Sequence, residues 1–322
     1  MTDLLTLPTL MEDNKYKDDM VLRNDDMYFV AEDDYNGLRI ADTFLGNVTL
    51  YDLSTVAKQQ LCNTLGIPQQ YFDRCPDWLR KQNVDYHLSQ HPKRMMARTY
   101  KEHPKKGNVV RGLLSEKYGI IDYAPTVQAI NNVVGTGLMK DPHVMRDHYE
   151  DSILRIHVVD KGAEVMEGSF SGVLITNSEL GLHKLDASFG VYTLACSNGL
   201  VIPRMVTGFS RRHIGNYKTL NQDLYNAIKE FDNIQNKVSS MLNDSNKCFI
   251  EKENAIKYIN DLREFPLQWR KDMVDRINNR GVKTRAWHIC YDMTQLAQSY
   301  SENTRMLIEQ EAGSFLVSMC KN

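Results

Sequence analysis

Between Lys93 and Tyr118 the chain carries Lys93, Arg94, Arg98, Lys101, Lys105, Lys106, Arg111 and Lys117 against only Glu102 and Glu116. Cations at that density neutralise phosphates, and a ring such as Tyr118 among them offers a face on which a base can stack. Arg211-Arg212-His213 is a second cation cluster of the kind that contacts phosphate, in a stretch (203–218) that also holds Arg204 and Lys218 and no acid. A third candidate surface comes from strand periodicity. In Ile153–Val159, Arg155 and His157 share one face while Leu154, Ile156 and Val158 form the other, so one face is core and the opposite one polar. The candidate nucleic-acid-binding set is therefore Arg98, Lys105, Lys106, Arg111, Lys117, Tyr118, Arg155, Arg211, Arg212 and His213, with Tyr192 as a further stacking ring. The plainer reading of the same residues is a solvated charged surface and a solvated sheet face.

Other chemistries find less support. The chain has no GxxxxGK[ST] and no GxGxxG; Gly135-Thr136-Gly137-Leu138-Met139-Lys140 lacks the spacing that cradles phosphates, so no nucleotide cofactor is expected. Gly168-Ser169-Phe170-Ser171-Gly172 resembles a nucleophile elbow but has Phe170 where the serine belongs. His143, Asp147, His148, Glu150 and Asp151 are the densest group of potential metal ligands, without an HExxH frame to order them. The six cysteines (Cys62, Cys75, Cys196, Cys248, Cys290, Cys320) form no CxxC pair, which fits reduced thiols rather than a zinc site or a disulfide framework. No catalytic residue and no metal site is assigned. No stretch has signal-peptide character and none has about 18 uncharged apolar residues, so a soluble cytoplasmic protein is expected.

Charge is unevenly placed along the 322 residues, whose formal net charge is only −2. Residues 1–36 hold ten acids against Lys15, Lys17 and Arg23. Such a start can be ordinary solvated charge, or it can lie on the basic stretch in cis and screen it from other polyanions.

These side chains need elements to position them. Residues 1–26 read as a flexible acidic lead, 27–218 as an α+β core domain, and 219–322 as an all-helical region. In the core, Tyr28–Ala31 and Leu38–Ile40 flank Asn36-Gly37 as a hairpin, with Val48–Tyr51 a third strand. Ser54 caps a helix that ends at Gly66; Pro68 and then Pro76-Asp77 open two more. The outline helix, Gly66-Ile67-Pro68, helix resembles a helix-turn-helix, but Gln69–Arg74 offers one cation to a groove, which favours a plain helical hairpin. Val109–Ser115 reads as strand, Ala124–Val134 as helix, and 152–202 as strands joined by short turns, hence antiparallel. The expected fold is α+β, with a central antiparallel β-sheet, packed helices and an all-helical C-terminal region. Leu220, Leu224, Ala227, Phe231, Ile234, Val238 and Met241 form an amphipathic stripe that either packs internally or self-associates.

Five blocks in order carry a family resemblance: Arg111–Asp122, Thr176–Gly181, Cys196–Leu200, Arg212–Gly215, and Ala286-Trp287 with Tyr291 and Thr294. They resemble successive blocks of the phage/plasmid-like family catalogued as domain of unknown function 932, and Leu65-Gly66-Ile67-Pro68 through Trp78-Leu79 is similar to that family's opening helices. The resemblance spans residues 60–300. It implies a gene of phages, prophages or plasmids and a protein of the host cytoplasm, and it names no reaction. A short antiparallel sheet backed by helices, with a basic groove and an oligomerising helical tail, is also similar in outline to phage single-strand annealing proteins.

The combined expectation is an ATP-independent binder of single-stranded DNA or RNA, a homo-oligomer, active in strand annealing during recombination or replication. One alternative is an anti-defence or host-protein-binding module using the helical stripe and an exposed Trp78, Trp269 or Trp287. Another is a metal-dependent nuclease using Asp147, His148, Glu150 and Asp151.

Overall fold

The computed structural model describes residues 6–22, 28–30, 39–42, 49–90, 94–166, 168–193, 198–201, 209–214, 219–229, 240, 243–244 and 247–319. Its elements in chain order are α1 (Pro8–Asp13), β1 (Met20–Leu22), β2 (Tyr28–Val30), β3 (Arg39–Asp42), β4 (Thr49–Leu53), α2 (Thr55–Leu65), α3 (Gln69–Arg74), α4 (Asp77–Gln90), β5 (Met95–His103) and β6 (Gly107–Ser115). There follow α5 (Tyr123–Val134), β7 (Pro142–Glu150), β8 (Ile153–Met166), β9 (Ser169–Asn177), β10 (Leu185–Thr193), β11 (Asn198–Val201), β12 (Phe209–Arg211) and α6 (Leu220–Lys229). The last are β13 (Phe249–Glu251), α7 (Lys252–Asp261), α8 (Leu267–Asn278), β14 (Lys283–Arg285), α9 (Ala286–Ala297) and α10 (Glu302–Met319).

The fold is α+β with antiparallel sheets and a helical C-terminal region. Where one central sheet was expected there are two. The first runs in the order β1-β5-β6-β4-β3-β2, the second β11-β10-β9-β8-β7 with β12 also on β10. Within the first sheet β4 and β6 are parallel (Asp52↔Val109, Leu53↔Val110), because the three helices α2–α4 and strand β5 intervene and carry the chain back to the same end. The helical region also contains a short ladder, β13 on β14.

Local signals account for much of this. Ser54 Oγ accepts from the Ala57 N–H at 3.0 Å and opens α2, while Gly66 at φ +70° closes it. Helices α2–α4 cover one face of the first sheet, where Tyr51, Leu61, Phe72, Val84 and Leu88 meet Met95, Ala97, Val110 and Leu113. The apolar face of the second sheet (Leu154, Ile156, Val158, Val173, Ile175) shares one core with α5 and the C-terminal helices, including Trp269, Met293 and Phe315. Side chains from both sides of the expected 218/219 boundary thus share this core.

Over its described part the acidic lead packs against the rest of the chain. Leu7 and Leu10 are buried in the larger core, and β1 adds to the edge of β5 in the register Met20↔Ala97. Leu224 and Ala227 of the C-terminal stripe are buried, with α6 packed on α5, so these positions face the interior; Phe231, Ile234, Val238 and Met241 lie outside the described residues. Six strands escape periodicity: β1, β5, β7, β12, β13 and β14. In β5 the polar residues that spoil the alternation (Arg98, Thr99, His103) are buried, and in β7 half-buried Arg146 reaches Glu309, a partner distant in sequence.

Because Leu10 is fully buried, Leu10→Ala is expected to lower stability by about 2–5 kcal/mol in urea unfolding, and removal of residues 1–22 to lower it further. A truncated protein with an unchanged midpoint would show that this segment only rests on the surface.

Candidate functional site

The two sheets meet around one carboxylate. Glu179, in the loop after β9, is fully buried and accepts from Arg111 Nη1 at 2.8 Å, Lys17 Nζ at 2.6 Å and the Tyr123 backbone N–H at 2.8 Å. Arg98, with no exposed surface, lies 3.8 Å away; its Nε faces Asp19 at 2.9 Å and its Nη2 pairs with Asp122. Three cations thus meet three carboxylates. Burial alone would push the Glu179 carboxyl upward, but the charges of Lys17, Arg111 and Arg98 hold it down to about 2.

Each partner is placed by its own local device. Strand β5 sends Met95 and Ala97 into the α2–α4 core, and Arg98 and Tyr100 alternate onto the other face. On β6 the register steps from Arg98↔Gly112 to Thr99↔Val110, so Arg111 is the extra residue of a β-bulge, which re-aims its side chain. The bulge carbonyl of Arg111 accepts from Ser54 Oγ at 2.6 Å, which joins it to the cap of α2. The Glu179 loop is held from all sides. Asn177 Nδ2 donates to the Ile121 carbonyl at 3.0 Å, Ser178 Oγ to the Ser152 carbonyl at 2.7 Å, and Gln60 Nε2 to the Leu180 carbonyl at 2.7 Å. Gly181 has φ +71°, and a Cβ there would lie 3.1 Å from Leu114 and 3.3 Å from the Tyr118 ring. What reads in sequence as plain turn chemistry carries the central carboxylate.

A second polar layer adjoins the first through Tyr100. Its ring lies 4.6 Å from the Arg111 guanidinium and 4.6 Å from Lys106 Nζ, and its hydroxyl donates to Asp151 at 2.6 Å. His103 Nδ1 accepts from the Lys105 and Lys106 N–H groups, leaving Nε2–H to donate to Asp13 at 3.0 Å. Asp13 also accepts from Tyr149 and Lys106. The acidic segment thus lies directly on the basic stretch: Asp13 on Lys106 and His103, Asp18 3.8 Å from Lys101, Asp19 on Arg98.

The polar face of the second sheet is covered, not solvated. Arg155 and His157 are buried beneath the first turns of α10. Arg155 donates to Asn303 at 2.7 Å, and Arg146 donates to both oxygens of fully buried Glu309 and to His157 Nε2. Burial, then the charges of Arg146, Arg305 and Arg155, hold His157 well below the ordinary imidazole range, so it is neutral at pH 7. Burial raises the Glu309 carboxyl in spite of Arg146 and Arg305.

The ten candidate residues therefore separate. Arg98, Arg111 and Arg155 are corrected from phosphate ligands to internal ion-pair partners, since guanidinium groups with about 1% exposure or less do not meet a strand's phosphates. His213 is also buried. Its ring stacks on Tyr118 at 4.9 Å and 9°, burial lowers its affinity for a proton, and Gly119 and His213 bond to each other through their backbones. Tyr118 has one face taken by that stack and donates its hydroxyl to the Ser178 carbonyl at 3.0 Å, which makes it an anchor. Arg211 pairs with Asp223, and Lys106 with Asp13 and Asp151. Lys105, Lys117 and Arg212 are exposed. The Tyr192 side chain lies outside the described residues. Sequence reasoning missed Glu179, Lys17, Asp13 and Asp122; the one signal available was that acids 1–36 and the basic stretch are complementary in charge.

An antiparallel bridge, Tyr118↔Ile214, joins the segment after β6 to the segment after β12. It carries exposed Lys117 and Ile120 on one side and exposed Arg212 and Ile214 on the other, with exposed Leu182 following Gly181 at the Tyr118 ring. Among the described residues no three His, Cys, Asp or Glu side chains converge as metal ligands, and Asp151 is engaged by Tyr100 and Lys106. Trp269 is fully buried and Trp287 half-buried, so of the three tryptophans Trp78 alone is strongly exposed. Among the described residues no helix is long and apolar enough to cross a membrane. No protein-family model, curated protein or solved structure matches the chain.

Glu179 gives the site a pH signature. Its folded carboxyl sits below the ordinary value of 4.5, so its stabilisation is present above about pH 4.5 and is lost as pH falls toward about 2. Glu179→Gln is expected to cost about 3–5 kcal/mol at pH 7 by stranding buried cations, and to flatten the fall in melting temperature between pH 5 and 2.5. Parallel melting curves for wild type and variant across that range would refute the assignment.

Proposed function

We propose that the chain is a single-stranded nucleic-acid-binding protein of phage or plasmid type. It acts in the cytoplasm of a host, without ATP, in strand annealing during recombination or replication. The observation that carries this reading is the Tyr118↔Ile214 bridge, where exposed cations Lys117 and Arg212 flank exposed apolar side chains Ile120, Leu182 and Ile214. Cations there can neutralise phosphates, and the aliphatic side chains can pack on bases in place of the aromatic stacking usual for a single strand. The support comes from beneath: Tyr118 is fixed by His213 and Ser178, and the Glu179 network joins both sheets under it. A rigid base lowers the ordering cost of binding. Three of the five sequence blocks with phage/plasmid-like character, those containing Arg111–Asp122, Thr176–Gly181 and Arg212, meet at this place.

Lys105 lies at the β5–β6 hairpin tip, about 30 Å from Lys117 along the nine residues of β6. An extended strand spanning that distance would touch both. Phosphate contacts from Lys105, Lys117 and Arg212 give an expected log affinity against log salt slope of about −2, at about −0.7 per contact. Anisotropy titrations with labelled single-stranded DNA and RNA test this. Lys117→Glu combined with Arg212→Glu is expected to weaken binding of every sequence alike and to bring the slope to about −0.7. Unchanged affinity in that double variant would remove the reading.

A further inference from the structure

Three of the four strongly exposed aromatic side chains among the described residues lie on one helical hairpin: Tyr71 at 46%, Trp78 at 60% and Tyr86 at 60% exposure; Phe249 is the other. Helix α4 turns Val84 and Leu88 into the core, and Trp78, Gln82, Asp85, Tyr86 and Ser89 outward on one arc, as their spacing requires. Tyr71 of α3 joins the arc through Asn83, whose amide donates to the Tyr71 hydroxyl at 3.3 Å. The face is rich in Trp, Tyr, Gln and Asn and poor in charge, the composition of an interface centre.

Its charges are paired at the margin: Lys58 with Asp73, Arg80 with Asp77, Lys81 with Asp85. Three of the four cations of this hairpin and its margin are matched by carboxylates, with Arg74 at the end of α3 the fourth, and those carboxylates repel a phosphate backbone and disfavour a nucleic-acid strand here. A face that meets its own copy across a two-fold axis must be nearly neutral, or it repels itself. This one is, and its order suits that symmetry. Trp78 and Tyr86 flank Gln82 by four residues each, about 12 Å apart along the helix. A two-fold axis crossing α4 near Gln82 and Asn83 sets two antiparallel copies of the helix together, with Trp78 against Tyr86 of the partner subunit and Lys81 near Asp85 of the partner subunit.

We propose that the exposed face of α3 and α4, centred on Trp78 and Tyr86, is a homodimer interface occupied by the same face of a second copy of this chain. It is separate from the 219–242 stripe, of which Leu224 and Ala227 face inward.

Light scattering and sedimentation velocity on the full chain from about 1 to 100 µM test the proposal. Wild type is expected to reach twice the monomer mass, and Trp78→Asp and Tyr86→Asp to remain monomeric with unchanged circular dichroism and melting, because neither side chain supports the core. Lys81→Asp is expected to weaken the dimer, and Lys81→Asp with Asp85→Lys to restore it. A monomer throughout the range overturns the proposal, as does a dimer that survives both aromatic variants. Loss of labelled single-strand affinity in Trp78→Asp at unchanged mass also overturns it and assigns the face to base stacking.

Discussion

A carboxylate removed entirely from water dictates the arrangement of this protein. Transferring an ion such as Glu179 to the interior costs several kcal/mol even after relaxation, and the cost is offset only by opposite charge at hydrogen-bond distance. Lys17, Arg98 and Arg111 supply it, and each comes from a different part of the chain: the N-terminal segment, β5 and β6. Asp19 and Asp122 then balance Arg98. The position of the first strand, the bulge in β6, the start of α5 and the loop after β9 are consequences of one charge-neutral cluster. None of them can move far without stranding a buried ion.

The same logic recurs on the second sheet, where Glu309 from α10 holds Arg146 and Arg305 over neutral His157. Together the two networks consume much of the positive charge that a linear reading assigns to a binding surface. The acids of the N-terminal segment do the consuming at β5, and the segment is locked there by Leu7, Leu10 and Lys17 rather than resting as a loose screen. The exposed part of the candidate set is therefore smaller than the sequence suggests, and Lys105, Lys117 and Arg212 remain on the surface.

Rigid polar interior and selective exposure together shape the functional reading. The Tyr118↔Ile214 bridge is narrow, but it stands on side chains that already have their partners, so binding there need not order the protein first. The α3–α4 face stands on an apolar core of Leu61, Phe72, Val84 and Leu88, which leaves its aromatic side chains nothing to do for the fold. Exposed apolar or aromatic side chains mark both surfaces.

Local rules were legible wherever a residue acts on its neighbours. Ser54 as cap, Gly66 as stop, Pro68 as helix opener, the pairing of the strands at Tyr28 and Ile40, and the alternation of Leu154, Ile156 and Val158 depend on contacts a few residues apart, and the sequence alone determined them, with the α+β class and the helical C-terminal region. The strands β5 and β7 were not legible, because Arg98, Tyr100 and Arg146 look like surface residues until their partners 81, 51 and 163 positions away are known. The splitting into two sheets, the folding back of the acidic segment and the burial of Arg111 and Arg155 were decided by tertiary structure alone. Charge is written in the sequence, but whether a charge faces water or another charge depends on distances that only the folded chain sets, and a buried pair is selected by the desolvation it must offset.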